Sequence, residues 1–445
     1  MKVFPVVFLG LILTPGVSTA QHEHHPAAAP TPAPTMMPMP MPSPAPAATP
    51  PPTMAAPPPS NPDPMAAMEE MEPMDHWMTM FHGYAFLTAN RQGGPSGDRE
   101  FESQNHFMAM AMRSLWGGKL SLLGTFTLEP ATIPPRGSAE LFQRGETYRN
   151  VLLVDRQHPH DLFVQLGAAW ERPFSKSAKL RLYLAPRGEP ALGPTAYPHR
   201  LSSSENPTAP LSHHNQDSTH IAEDVATVGL TASIFTLEGS AFHGREPDEN
   251  RWDFEQGRLD SYSGRLTVRP LPELSLQVSS GHLEHPEKIE PGNQTRSTAS
   301  ITYQKATADG FLAASVIAGR NQTPAGPEWG NLVEWTWKFA RSNFLYGRLE
   351  SVDRDLYELI NKRQRPDAVP RQRTAVQAAT LGFVRNVPIF RDAETGLGGD
   401  FTLYRFPSRL DPIYGKNPVS LHGFLRIRFG SHAGMSETDH SRMKM

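Results

Sequence analysis

The chain has 445 residues, 45 prolines, 18 methionines, 18 histidines, no cysteine and a formal net charge of −3. Near-neutral charge argues against a nucleic-acid partner. The lack of cysteine excludes a disulfide-stapled scaffold.

Residues 1–20 read as a secretory signal peptide. Lys2 supplies the positive start, Val3 to Leu13 a short apolar run, and Ser18-Thr19-Ala20 the small residues before Gln21. No cysteine follows for lipid attachment, and no other stretch reaches the roughly 18 apolar residues of a membrane helix. Residues 21–76 form an arm. Eighteen prolines and eight methionines fall between positions 26 and 73, a composition that favours an extended or disordered segment.

From Trp77 to Phe429 the pattern changes to sixteen short β segments, separated alternately by short and long connections. The expected spans are 78–90, 102–115, 119–129, 161–172, 178–187, 219–232, 235–244, 259–270, 273–284, 295–306, 310–320, 330–341, 343–354, 373–385, 395–406 and 419–429. Several alternate cleanly. Leu180, Leu182 and Leu184 alternate with Lys179, Arg181 and Tyr183, and Val333, Trp335 and Trp337 with Glu334, Thr336 and Lys338. Tight turns fall at Trp116-Gly117-Gly118, 270–272, 307–310 and 341–343. Long polar loops fall at 130–160, 188–218, 245–258, 355–372 and 407–418. This rhythm predicts an all-β fold, a transmembrane antiparallel up-and-down barrel of about 16 strands, with 14 to 18 possible. An even count brings both chain ends to one side, the periplasmic side in bacterial outer-membrane barrels. Trp116, Trp170, Tyr183, Trp329 and Tyr346 are candidates for interfacial girdles.

Methionine and histidine are unevenly spread. Residues 113–434 contain no methionine. The arm carries His22, His24, His25, Met36, Met37, Met39, Met41, Met71, Met74 and His76 and runs into Met78 and Met80. The tail, residues 430–445, carries Met435, His440, Met443 and Met445. Thioether sulfur suits Cu(I), and imidazole suits Cu(II) or zinc, so the tails are candidate copper sites. The competing reading is a low-complexity spacer. Asp75-His76-Trp77-Met78 and Asp439-His440-Ser441-Arg442-Met443 resemble the Asp-His-Ser-x-Met repeats of bacterial copper-resistance proteins, and the resemblance implies copper handling. Met108, Met110 and Met112 share one strand face, taken here as the lipid-facing one.

A second histidine group lies in the two longest loops. His158, His160 and Asp161 precede one strand. His213, His214, Asp217 and His220 precede another, one strand removed. They should meet at the rim or inside the lumen. There they suit a hydrogen-bonded plug, a divalent-metal site or a hydrolytic site. Residues 244–265 alternate in charge and read as a loop tied by Arg–carboxylate pairs. DRQHPHDLF at 155–163, LSHHNQDSTHI at 211–221, GREPDENRWDF at 244–254 and LDSYSGRL at 259–266 together resemble a family of uncharacterised exported bacterial proteins. Those proteins look like outer-membrane barrels and keep company with metal-resistance functions.

Inward strand positions Arg181, Arg265, Arg269, Lys338, Arg426 and Arg428 outnumber Glu334 and Glu350. A basic lumen favours anions. The expected protein is thus a porin-like barrel in a Gram-negative-type outer membrane, passing or handling small solutes or metal ions. Its partners are the lipid bilayer, those solutes and periplasmic metal-handling proteins met through the arm. It requires no cofactor beyond a possible copper or other divalent ion. The alternatives are a rim metal or hydrolytic site and a non-conducting structural barrel.

Overall fold

The computed structural model describes residues 76–288 and 292–430. The signal peptide, the arm up to residue 75 and the tail from residue 431 lie outside the described residues, and so do all the candidate ligands there except His76, Met78 and Met80.

The strands follow the hydrophobic alternation closely. They are β1 (Met78–Arg91), β2 (Arg99–Leu115), β3 (Gly118–Phe126), β4 (Ser138–Tyr148), β5 (Val151–Gln157) and β6 (Phe163–Ser175). β7 (Ala178–Gly188), β8 (Ala222–Ala232), β9 (Phe235–His243), β10 (Ser261–Leu271), β11 (Leu274–Leu283) and β12 (Gln294–Thr307) follow. The last six are β13 (Gly310–Thr323), β14 (Gly326–Phe339), β15 (Asn343–Asp355), β16 (Arg373–Asn386), β17 (Glu394–Arg405) and β18 (Val419–Phe429). All but β4 and β5 form one closed antiparallel barrel of sixteen strands. β1 pairs with β18 from Gly83↔Phe429 to Arg91↔Leu421, so no edge is left unpaired. Among the described residues no helix is long and apolar enough to cross a membrane.

The outer face is built for hydrocarbon. Leu276, Ile301, Val316, Val333 and Leu349 are register partners across five successive strands. Ile301, Val316, Val333 and Leu349 are all exposed. An exposed apolar row on a closed barrel is a lipid-facing band. Trp116, at a turn where it and Gly117 both take positive φ, and Trp329 are outward and exposed. Trp170 is outward too, since its neighbours Ala169 and Glu171 line the lumen. Tyr183 and Tyr346 correct the girdle expectation. Both are buried inside the barrel, and the Tyr346 hydroxyl donates to Asp400 at 2.7 Å.

Three further expectations change. Loop 130–160 contains the β4–β5 hairpin, which stands apart from the barrel sheet. Arg149 and Asn150 take positive φ at its turn, as a twisted two-residue hairpin turn requires. Register shifts between Ala139 and Arg144 and between Arg144 and Thr147 break the period of two, so alternation could not reveal it. β13 and β14 pair down to Thr323↔Gly326, making a connection expected to be long a tight one. Met108, Met110 and Met112 face inward, not to lipid. Met110 and Met112 are buried in an interior cluster with Leu123, Tyr183 and Phe242.

The interior is filled largely by the chain between β7 and β8, which folds into the barrel. Ala191 and Gly193 donate to Ser240 and Ser279 on one wall at 2.7 and 2.8 Å. Ser202 reaches Ser315 on β13 at 2.8 Å, and Thr336 on β14 donates to the Ser202 carbonyl at 3.0 Å. Gly319 and Gly330 let this plug lie against the wall. A Cβ on Gly319 would sit 2.1 Å from the Asn215 carbonyl oxygen.

The apolar row makes a direct prediction. Val316→Arg should cost about 2–4 kcal/mol in urea unfolding from lipid vesicles if the row sits near mid-membrane. An unchanged unfolding curve would deny that this face meets lipid.

Candidate functional site

The site grows from one buried carboxylate. Glu334 on β14 faces inward at 1% exposure. It accepts from Arg200 at 2.7 Å and from Ser202 at 2.9 Å, both on the plug, and Arg348 lies 3.6 Å away. Arg200 also binds Asp217. Asp217 holds His213 through Nδ1 at 2.7 Å and accepts from the Tyr197 backbone at 2.9 Å. The chain of contacts thus fixes the histidine-bearing turn on the β13–β14 wall, where Gly319 and Gly330 already back it at Asn215.

That turn meets the β4–β5 hairpin and the loop after β9. Together Glu146, His158, His160, Asp161, His213, His214, Ser218, His220, Glu246 and Arg251 line a cavity of about 10 Å³, room for one water or one ion. The expected rim histidines are therefore brought together. Ring centres lie 5.2 Å apart for His160 and His220 and 5.3 Å for His213 and His220. They lie 5.3 Å apart for His213 and His214 and 5.6 Å for His158 and His214. Imidazoles bound tetrahedrally through nitrogens about 2.0–2.1 Å from an ion have ring centres roughly 5 Å apart, so this spacing suits metal binding. His214, Glu246 and Glu287 already bring one donor atom each within 4.8 Å of one another. The donors of His160, His213 and His220 are not gathered so tightly, and closing on an ion requires their rings to turn.

Each ring is oriented from outside. His160 Nδ1 lies 2.8 Å from Glu129, His220 Nδ1 2.9 Å from the Asp217 carbonyl, and His158 Nε2 3.3 Å from Glu146. A carboxylate or carbonyl partner on one ring nitrogen leaves the other for a metal, but His158 Nδ1 accepts from the Glu146 backbone at 3.4 Å and His160 Nε2 lies 3.5 Å from the Tyr197 hydroxyl, contacts that must open first. His220 Nε2 and His214 Nε2 are buried without a hydrogen-bond partner. Burial lowers the His158 and His220 pKa well below the ordinary value and His213 to about 4, so all three are neutral at pH 7. Burial alone would raise Asp217. Arg200 and His213 beside it instead hold it below the usual carboxylate range.

Asp161 and Asp217 do not offer open donors. Asp161 pairs with Arg187 at 2.8 Å and Arg251 at 3.1 Å. Asp217 is spent on Arg200 and His213. Sequence reasoning missed Glu129, Glu146, Glu246 and Tyr197 as parts of the site. The charged loop around Arg251 did signal part of it, since Arg251 spans Asp161 and Glu146, the latter at 2.6 Å.

The lumen charges form pairs rather than a basic surface. Arg265 meets Glu238 at 2.8 Å, Arg181 meets Glu171 and Glu238 at 3.5 Å each, and Lys338 meets Glu394 at 3.6 Å. Arg426 and Arg428 both bind Glu205 of the plug. Arg269 lines the cavity beneath the plug, and Glu350 accepts from the Ser212 backbone at 3.4 Å. The excess of inward base expected from the strands is smaller than the strands alone suggest, because Glu171, Glu238 and Glu394 also face inward and the plug adds Glu205. Beneath the plug lies a vestibule of about 1040 Å³ that reaches the short-turn end at Asp309 and Arg341 and touches His160 and His220.

The fold and site define a plugged, closed sixteen-stranded barrel. No known protein family and no curated protein matches the chain. Solved structures similar to it include the outer-membrane-expressed OmpT of Vibrio cholerae, at 10% identity over 81% of this chain and 100% of that one, TM-score 0.44. Pseudomonas putida OprB is similar at 10% identity over 80% and 94%, TM-score 0.46. Salmonella typhi OmpF is similar at 10% identity over 79% and 97%, TM-score 0.45.

Disrupting the anchor should free the plug. Glu334→Ala takes the carboxylate away from Arg348 and Ser202 and leaves Arg200 with Asp217 alone, a loss of at most about 3–5 kcal/mol. The expected result is faster proteolysis between residues 189 and 221, with the barrel still folded in detergent. Equal cleavage rates would show that the plug is held elsewhere.

Proposed function

We propose that this chain is an outer-membrane barrel of porin architecture, closed at rest by its own inward loop, which binds a divalent transition-metal cation at the imidazole cavity. The observation that carries the reading is the convergence of His158, His160, His213, His214 and His220 in a space of one-ion size. Neutral nitrogen donors backed by carboxylates suit borderline cations such as Cu²⁺ or Zn²⁺. The exposed apolar row supports residence in a bilayer. In a bacterial outer membrane an even strand count puts both termini in the periplasm and the metal cavity on the outer side.

In this reading the plug and the metal are coupled. His213, His214 and His220 belong to the plug, whereas His158 and His160 follow the β4–β5 hairpin, so one bound ion ties the two together. The Met/His arm and tail act on the periplasmic side as copper-capturing segments that serve periplasmic metal-handling proteins. Small solutes enter the vestibule from the short-turn end, and passage across requires the plug to move. A hydrolytic role has less support. The Ser218 hydroxyl donates to Glu246 at 3.0 Å and accepts from Arg296 at 2.8 Å, contacts that hold the loop rather than prime a nucleophile.

The test uses the full chain refolded in detergent, unfolded by heat with and without Zn²⁺. A cation at a hundredfold excess over its Kd adds about 2.7 kcal/mol to the folded state, so the wild type should melt several degrees higher. Binding confined to segments outside the barrel would not move this midpoint. The variant His158→Ala/His214→Ala/His220→Ala should lose the rise. A rise that survives in this variant would place the cation elsewhere.

A further inference from the structure

The inward methionines form a ladder that continues the line of histidines to the opposite end of the barrel. Across β1 and β2 the register partners are Met78↔Met112, Met80↔Met110, His82↔Met108 and Tyr84↔His106. All of these positions share the inner face, and directly opposed side chains in an antiparallel pair stand about 4.5–5.5 Å apart at Cβ. His82, Tyr84, His106 and Met108 line the vestibule. His106 is buried, its Nε2 has no hydrogen-bond partner, and its ring lies 4.8 Å from that of His199 on the plug. Met110 and Met112 are buried, with Met78, Met80 and Met108 packed against them.

We infer that Met80, Met108 and Met110, with His82 and His106, form a second metal site, selective for a soft monovalent ion such as Cu(I) or Ag(I). Three arguments carry this. Long unbranched thioethers on facing rungs can turn two or three sulfurs toward one ion, and thioether sulfur prefers soft cations. The ladder offers only neutral donors, sulfur and imidazole, which is the donor set for a singly charged ion. Composition adds the third argument. The chain places five of its 18 methionines on this single patch of inner wall and none anywhere in residues 113–434. Elsewhere the apolar parts of the interior are built from Leu, Phe, Tyr, Val, Ile and Ala instead.

The site extends the metal-handling reading but does not depend on it. The two sites share no ligand and differ in chemistry. The imidazole cavity takes a divalent ion, and the thioether ladder takes a soft monovalent one.

The experiment is a thermal melt of the full chain in detergent with Ag⁺, a redox-stable stand-in for Cu(I). Wild type should melt several degrees higher with Ag⁺. Met80→Leu/Met108→Leu/Met110→Leu keeps side-chain volume, a swap a core usually tolerates, and should melt normally without Ag⁺ while losing the rise. His158→Ala/His214→Ala/His220→Ala should keep the Ag⁺ rise, whatever it does to the Zn²⁺ response, which separates this site from the imidazole cavity. No Ag⁺ effect on the wild type, or an effect undiminished in the leucine variant, overturns the proposal. Should the leucine variant fail to fold, Met108→Leu/His106→Gln in the same assay decides by the same criterion.

Discussion

The structure depends on a carboxylate that would be at home in water but has been dried. In an open barrel Glu334 and Arg348 would line an aqueous lumen and need no partners. Here the plug covers both, and Arg200 and Ser202 replace the lost water. A buried charge set of this kind adds little net stability, but losing one member is expensive. The plug is thereby fixed in one place. From that follow the position of the histidine turn, the coupling of Asp217 to His213, and a vestibule that reaches the short-turn end at Asp309 and Arg341. Arg426 and Arg428 on β18, meeting at Glu205, repeat the device four strands round the barrel from β14.

The strands were legible because alternation survives wherever one face meets a uniform medium. Lipid on the outside demands an apolar residue at every second position, and the sixteen barrel strands are recognised from that, though not the ends of β13 and β14. Alternation does not say which face is which. In an open porin the apolar face is the outer one, and applying that rule to Met108, Met110 and Met112 gives the wrong side. The rule fails because the lumen here is not water. With a plug inside, parts of the inner wall become a packed core, so Phe86, Phe344, Tyr346, Val384 and Phe424 cluster there as well. Tyr183 and Tyr346 were misread for the same reason. The lumen charge was misjudged through incomplete phasing. Glu171, Glu238 and Glu394 face inward on strands whose pattern is less regular, and Glu205 arrives from a loop that no strand pattern describes.

The histidine site was legible in part, and the boundary is physical. Two His-rich segments that precede strands separated by only one other must end close together, so topology alone brings them to one region. Topology cannot supply the carboxylates that orient the rings, because Glu129, Glu146 and Glu246 come from three other segments. Glu146 is brought in by the β4–β5 hairpin, whose bulges hide it from any periodic reading.

Donor chemistry changes along the inside of the molecule. At the long-loop end His158, His160, His213, His214 and His220 stand among Glu129, Glu146, Asp217 and Glu246. Tyr197 lies 5.1 Å from His213 and begins the turn that presents His199 to His106. From His106 the β1–β2 rungs continue with thioether and imidazole and no carboxylate. The cost of removing an ion from water grows with the square of its charge, so a divalent cation needs nearby anions that a monovalent one can do without. The carboxylate-rich end is therefore matched to a doubly charged ion and the thioether end to a singly charged one. In the proposed reading, neutral donors between the two ends let one barrel interior hold both charge states of a metal that has two, each at the end whose electrostatics suit it.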